Sequence, residues 1–143
     1  MALPETAVPD TAVLVRFFFP YRDAEQAGAD ALRVAWLADE VQLVQLDLVV
    51  YEFVNVVTRI LGHGPEQATD DVVNLFRLQM PIIRVDTGLA SDAAALAADL
   101  GLSGYDAAFL ASARRLGIPL ITPDRRLAAA GGDDVLPLES VAA

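Results

Sequence analysis

Four carboxylates set far apart along the chain, Asp10, Glu52, Asp106 and Asp124, are the side chains with the most chemistry to offer. Held close together, such groups repel, and burial disfavours their charged forms further, so a cluster stays ionised only beside a cation. Mg²⁺ or Mn²⁺ suits that donor set, being hard ions that take carboxylate and water oxygens. Such an ion acidifies bound water and stabilises charge on a phosphoryl oxygen, so the chemistry implied is phosphodiester hydrolysis. The rest of the composition leaves few competitors. There is no Cys, hence no thiolate nucleophile and no Cys-containing metal site; the single His63 weakens any Ser-His-Asp arrangement. All ten basic residues are Arg, which removes every mechanism that needs an amine.

Each acid also has a plainer explanation. Asp is a favoured helix N-cap, so Asp10 and Asp124 could do no more than start a helix or an Asx turn. Ser103 and Asp106 have capping-box spacing, and Glu52, Asn55 and Arg59 form one stripe on a helix that could simply face solvent. What favours the chemical reading is that it explains the four together. Around them, Thr11 and Thr122 are candidate hydroxyl partners for an acidic ligand, and Asn55 lies one turn after Glu52. Arg16, Arg125 and Arg126 are the candidates for holding the phosphates of a scissile strand, because the guanidinium is a planar fork of donors; together they are expected to form a narrow basic rim around the acids.

The elements that must position these residues follow from periodicity and punctuation. A short strand is expected over 7–10, ending near Pro9, with Asp10 capping a brief helix over 13–19 that Pro20 stops. Helices are expected over 24–38, 48–61 (capped by Asp47 and ended by Gly62), 65–78 (opened by Pro65), 90–100, 103–116 and 125–130. Strands are expected over 41–46, 82–85, 120–122 and 135–138. Strands alternating with helices imply a three-layer α/β/α fold around a mostly parallel sheet, with the ligand cleft outside the carboxyl ends of the strands. Residues 1–143 are read as one domain. Of the consecutive Phe17, Phe18 and Phe19, at least one is expected to be exposed or at an interface.

The strings VPDTAVLVRFF, LDLVVYEFVNVVTR, GLSGYDAAFLASARRLG and LITPDRRL, in this order and at these separations, resemble the four signature blocks of PIN domains, especially VapC-type toxin ribonucleases of toxin-antitoxin pairs. The acid of each block falls on Asp10, Glu52, Asp106 and Asp124, and Asn55 matches a position where the family often carries a polar amide. The resemblance implies a PIN-like fold, Mg²⁺- or Mn²⁺-dependent cleavage of single-stranded RNA, a homodimer, and a small antitoxin as partner. One departure stands out: where the family usually carries Ser or Asn two residues after its first Asp, this chain has Ala12, so the hydroxyl that orients Asp10 must come from Thr11 or Thr122. The alternative is a PIN-like fold kept as a catalytically weak or inactive protein-binding module.

Charge and hydropathy complete the expectations. Twenty acidic residues give a formal charge of −10, which argues against broad binding to duplex DNA or anionic lipid. No apolar run approaches the ~20 residues of a membrane helix and no secretory signal opens the sequence, so a cytoplasmic protein is expected. An aspartyl-phosphate mechanism is disfavoured, because it needs a Lys beside the phosphate and, in the dehalogenase-type phosphatases, a second Asp where Ala12 stands.

Overall fold

The computed structural model describes residues 2–142. The sheet is built on β1 (Thr6–Pro9), which pairs in parallel with β2 (Gln42–Leu43) on one side and with β5 (Leu120–Thr122) on the other; β6 (Val135–Pro137) extends it beyond β5. Val8 stands opposite Leu120 and Pro9 opposite Ile121. Pro9, which has no N–H to donate, is tolerated inside the sheet because it is the last residue of β1; Asp10 then supplies the next bond, from its N–H to the Ile121 carbonyl at 3.0 Å.

The strand expected over 41–46 is divided. Its first half, β2, ladders onto β1, and its second half, β3 (Gln45–Leu46), ladders in parallel onto β4 (Ile82–Ile83). The change of partner comes at Val44, whose N–H still reaches the Ala7 carbonyl while that of Gln45 turns to Pro81. Periodicity reports which residues are extended and is blind to which edge they pair with.

Helices cover the sheet: α1 (Thr11–Phe18), α2 (Glu25–Leu37), α3 (Leu48–Asn55), α4 (Pro65–Arg77), α5 (Thr87–Leu100), α6 (Gly104–Leu116) and α7 (Arg125–Gly131). Most of their ends follow the sequence, but α5 starts at Thr87 rather than at the expected Ala90, because Asp86 accepts the Leu89 N–H and caps it. Pro65 occupies the first turn of α4, and Gly62, Gly101 and Gly117 close their elements at φ of 69°, 67° and 66°. Asp47 departs from expectation: it makes no cap bond to α3, and its carboxylate accepts the N–H of Val85 instead, stitching α3 to the end of β4. The helix expected to run to Leu61 loosens after Asn55 into a π-helical turn, Val56–Ile60.

The core is aliphatic, with Leu14, Leu32, Leu46, Leu110, Leu120 and Ile121 fully enclosed. None of the three consecutive Phe residues is exposed: Phe17 is buried against Trp36, and Phe18 and Phe19 are half-buried on Phe53. The helix ends there, so Phe19 leaves the helical wheel and turns back onto the same cluster. Gly28 lets α2 touch the carboxyl-terminal turn; a Cβ there would lie 2.0 Å from the Leu138 carbonyl oxygen. No helix among the described residues is long and apolar enough to cross a membrane.

Candidate active site

The loops leaving β1 and β5 and the helices α3 and α6 meet outside the carboxyl ends of the strands, around a cavity of about 370 Å³. Asp10, Glu52, Asp106 and Asp124 all line it, together with Thr11, Ala12 and Asn55. Acids drawn from positions 10, 52, 106 and 124 thus face one space, as the ligand rule for parallel sheets requires.

Local structure fixes each of them, and the capping explanation proves compatible with the site. Asp10 Oδ1 accepts the Val13 N–H at 3.1 Å and caps α1, while Oδ2 accepts the hydroxyl of Thr122 from the end of β5. Asp124 Oδ1 accepts the N–H groups of Arg126 and Leu127 and caps α7. Asp106 stands in the first turn of α6, its N–H held at 3.1 Å by Ser103 Oγ. Glu52 Oε1 accepts the Thr11 hydroxyl at 2.6 Å. A carboxylate has two oxygens, so one can start a helix while the other faces the cavity. Both threonines named from the sequence are therefore in use: Thr122 orients Asp10 and Thr11 orients Glu52, so Ala12 leaves neither carboxylate without a hydroxyl.

Burial and mutual repulsion dominate the electrostatics of Asp10, Glu52 and Asp106. Burial pushes the Asp10 carboxyl from 3.8 up to about 7, the Thr122 and Val13 bonds opposing this and the nearby Glu52 and Asp106 adding to it. Glu52 is raised by burial and by Asp106, against the Thr11 bond. Asp106 is raised by burial and by Asp124, and lowered by Ser103 and Arg126. Among the described residues no group of three or more acidic or His side chains is drawn tightly enough to grip an ion as it stands; mutual repulsion, with Asp10 and Glu52 tethered by threonines, opposes closer approach. An all-oxygen set of carboxylates that raise one another's pKa fits a hard divalent cation.

The basic rim expected of Arg16, Arg125 and Arg126 needs correction. Arg16 is buried, gripped by Asp23 through bonds of 2.5 and 2.8 Å, and it stacks on Tyr21, so it presents no donor to a phosphate strand. Arg125 is exposed but turned to Glu25 and Glu139, beside a separate smaller cavity. Of the three, Arg126 acts on a cavity acid: it donates to the Gly101 carbonyl at 2.8 Å, and its charge lowers Asp106. The pairing of Arg16 with Asp23 spans seven residues across the turn at Pro20, a spacing that no helical pattern flags. Tyr21, which lines the cavity, was likewise invisible to residue spacing. His63 pairs with buried Asp71 at 2.6 Å and is absent from the cavity wall.

Comparison with known proteins places this geometry. The chain matches the PIN domain family over residues 7–133. No curated protein sequence matches it. Among solved structures it is similar to a toxin-antitoxin complex from Klebsiella pneumoniae, at 23% identity and a TM-score of 0.67, covering 92% of this chain and 97% of that one. VapBC2 from Rickettsia felis, bound to a DNA fragment from its promoter, is similar at 12% identity and 0.66, covering 92% and 96%. FitAcB from Neisseria gonorrhoeae follows at 19% and 0.58, covering 92% and 95%.

Proposed function

The chain belongs to the PIN domain family, and on that premise we propose that it is an endoribonuclease dependent on Mg²⁺ or Mn²⁺, the toxin of a toxin-antitoxin pair. PIN domains are generally nucleases and typically use divalent metals. The observation that carries the proposal is the shared cavity: four carboxylates face it, Asp10 is pushed to about 7, and Arg126 brings positive charge near Asp106.

Asp10, Glu52, Asp106 and Asp124 would hold the ion, which would supply an acidified water and offset charge on the phosphoryl oxygens. The chain's own residues supply placement. Thr122 and the Val13 N–H fix the Asp10 carboxylate from two directions, and Thr11 fixes Glu52, so that neither must be reoriented at each turnover. Asn55, exposed at the cavity mouth one turn beyond Glu52, offers both a donor and an acceptor to a ribose or phosphate oxygen. Arg126 contacts the strand's phosphate at the rim.

Single-stranded RNA suits the site because a flexible strand can bend into a cleft with one basic contact, whereas duplex DNA must meet a surface of net charge −10. The DNA fragments in some of the similar structures are bound by those assemblies. Toxin-antitoxin complexes among the similar structures support a small antitoxin protein as partner, one that would place Arg or Lys in the acidic cleft; homodimerisation belongs to the same proposal. The reading as an inactive binding module rested on Ala12 and on the acidic surface; the bonds from Thr11 to Glu52 and from Thr122 to Asp10 answer the first ground, and the net charge of −10 remains the second. The experiment is cleavage of single-stranded RNA with Mn²⁺, expected in the wild type and abolished by EDTA; full activity in excess EDTA overturns the proposal.

A further inference from the structure

Tyr21 is a feature of the cavity that the acid cluster does not explain. It lies in the irregular loop between α1 and α2, it lines the same space as the four carboxylates, and it is 43% exposed. An exposed aromatic in a loop is ordinarily mobile, but this one is clamped. Its N–H donates to Gln26 Oε1 at 2.9 Å, and Gln26, itself buried, is held in turn by the Arg16 carbonyl and by Asp30. Behind the ring stands the guanidinium of Arg16, with Cζ 4.3 Å from the ring centroid, well inside cation–π range. Asp23 fixes that guanidinium bidentately, and Asp23 itself is anchored by the Gln26 N–H.

Arg16 needs a reason to be there. It is 7% exposed, and its Nε has no hydrogen-bond partner among the described residues. Burying a cation in this way is costly unless its geometry does something. What it does is cover one face of Tyr21, so a base that stacks on this ring must take the opposite face. Val15, Val56 and Phe109 line the same cavity and give it apolar surface beside the acids. A rigid π-face, an apolar wall and an adjacent acid cluster together match what a nucleobase and its phosphate need: stacking for the base and ionic chemistry for the backbone.

We propose that Tyr21 is a stacking platform for the base next to the scissile phosphate, held rigid from behind by the Arg16–Asp23 pair. The inference rests on the ribonuclease reading above and adds a subsite to it. Stacking accepts any base because every base has a π-face, so the platform contributes affinity and register with little sequence preference. Preorganisation through Arg16 removes the ordering cost that a free loop tyrosine would incur on binding.

The test measures binding of a short, mixed-sequence, single-stranded oligoribonucleotide by fluorescence anisotropy, beside a ribose-phosphate strand of equal length that lacks bases. Wild type is expected to prefer the base-bearing strand. Tyr21→Leu is expected to bind it about 5- to 100-fold more weakly and to bind the abasic strand like wild type, whereas Tyr21→Phe keeps wild-type affinity. In cleavage, the Leu variant's loss falls on KM rather than kcat. Equal losses on both strands, a Phe variant as weak as Leu, or a Leu variant that binds like wild type would each overturn the platform. The wild-type comparison of the two strands needs no variant to fold, and equal affinity there also overturns it. A wild type that cuts RNA while Tyr21→Leu matches it refutes the platform alone. Folded wild type that neither binds nor cuts any RNA refutes the ribonuclease reading beneath it.

Discussion

Asp10 and Asp86 do the same job at the starts of α1 and α5, each accepting the N–H three residues on, at 3.1 and 2.8 Å, yet their ionisation moves in opposite directions. Asp86 is exposed; the Leu89 N–H and the guanidinium of Arg115 hold its carboxyl below the usual carboxylate range. Asp10 is buried among acids and is pushed up to about 7. Capping is therefore only part of what Asp10 does, since a cap alone calls for neither burial nor acidic neighbours. The same contrast runs along α6: its last turn ties Arg114 to Asp134 and Arg115 to Asp86 and Asp92, while its first turn sets Asp106 among carboxylates with Arg126 near. The acids at the start of α5 and beside the end of α6 meet guanidinium groups, whereas those of the cavity meet chiefly one another.

The largest test of that contrast is stability against pH. A folded-state value near 7 means that, between 3.8 and 7, the native protein holds a proton at Asp10 that the unfolded chain has released. Metal-free stability therefore falls as pH rises through that window, by on the order of 4 kcal/mol for Asp10 alone. Glu52 and Asp106 act in the same direction, and Asp86, whose value is lowered, acts in the opposite one at lower pH. Thermal melts in chelator should show a lower Tm at pH 8 than at pH 5. Added Mn²⁺ should restore it most at pH 8, where ligands are ionised. A Tm that is flat across the window would remove the electrostatic distinction between the two aspartates.

Next in size is the paired substitution Asp10→Asn and Asp86→Asn. Asn caps helices as well as Asp does, so neither change should unfold its helix. Asp10→Asn is expected to lower RNA cleavage by about 100-fold or more and to raise the metal-free Tm at pH 8, since it deletes a buried charge. Asp86→Asn should leave cleavage at the wild-type rate. Comparable activities in the two variants would dissolve the comparison. A smaller effect, about 10-fold in kcat/KM, is expected for Thr122→Val, with a matching rise in the Mn²⁺ concentration needed for half-maximal rate, because the carboxylate stays and only its orientation is lost.

What could be read from the residues beforehand divides along the same line. Local chemistry was legible: Asp10, Ser103 and Asp124 as caps, Gly62, Gly101 and Gly117 as stops, and the alternation that makes a parallel sheet. The convergence of four acids followed once the carboxyl-edge rule was applied to that alternation. Contacts between distant segments were not legible. Thr11 reaches Glu52 across 41 positions and Thr122 reaches Asp10 across 112, and sequence could name these hydroxyls only as candidates. Arg16 misled because a guanidinium six residues after an Asp cap looks like a surface cation; its burial depends on Asp23, beyond the turn at Pro20. The split of 41–46 into two ladders was hidden for the same reason, since pairing partners lie elsewhere in the chain.

The smallest expected effect asks whether Asp86 is held for its cap or for its ion pair. Asp86 is 65% exposed and Arg115 35%, and an exposed pair of this kind contributes little once solvent and salt screen it. The N–H of Leu89, by contrast, belongs to a buried residue at the helix start and needs an acceptor. Asp86→Ala, which loses both, should therefore lower Tm by a few degrees, whereas Asp86→Asn, which keeps the acceptor and loses the charge, should lie within error of wild type. Cleavage should be unchanged in both, because Asp86 lies away from the cavity. If Asn proved as destabilising as Ala, charge pairing would be the stabilising element at Asp86. The two aspartates would then differ in the sign of one electrostatic effect rather than in having a site at one position and a cap at the other.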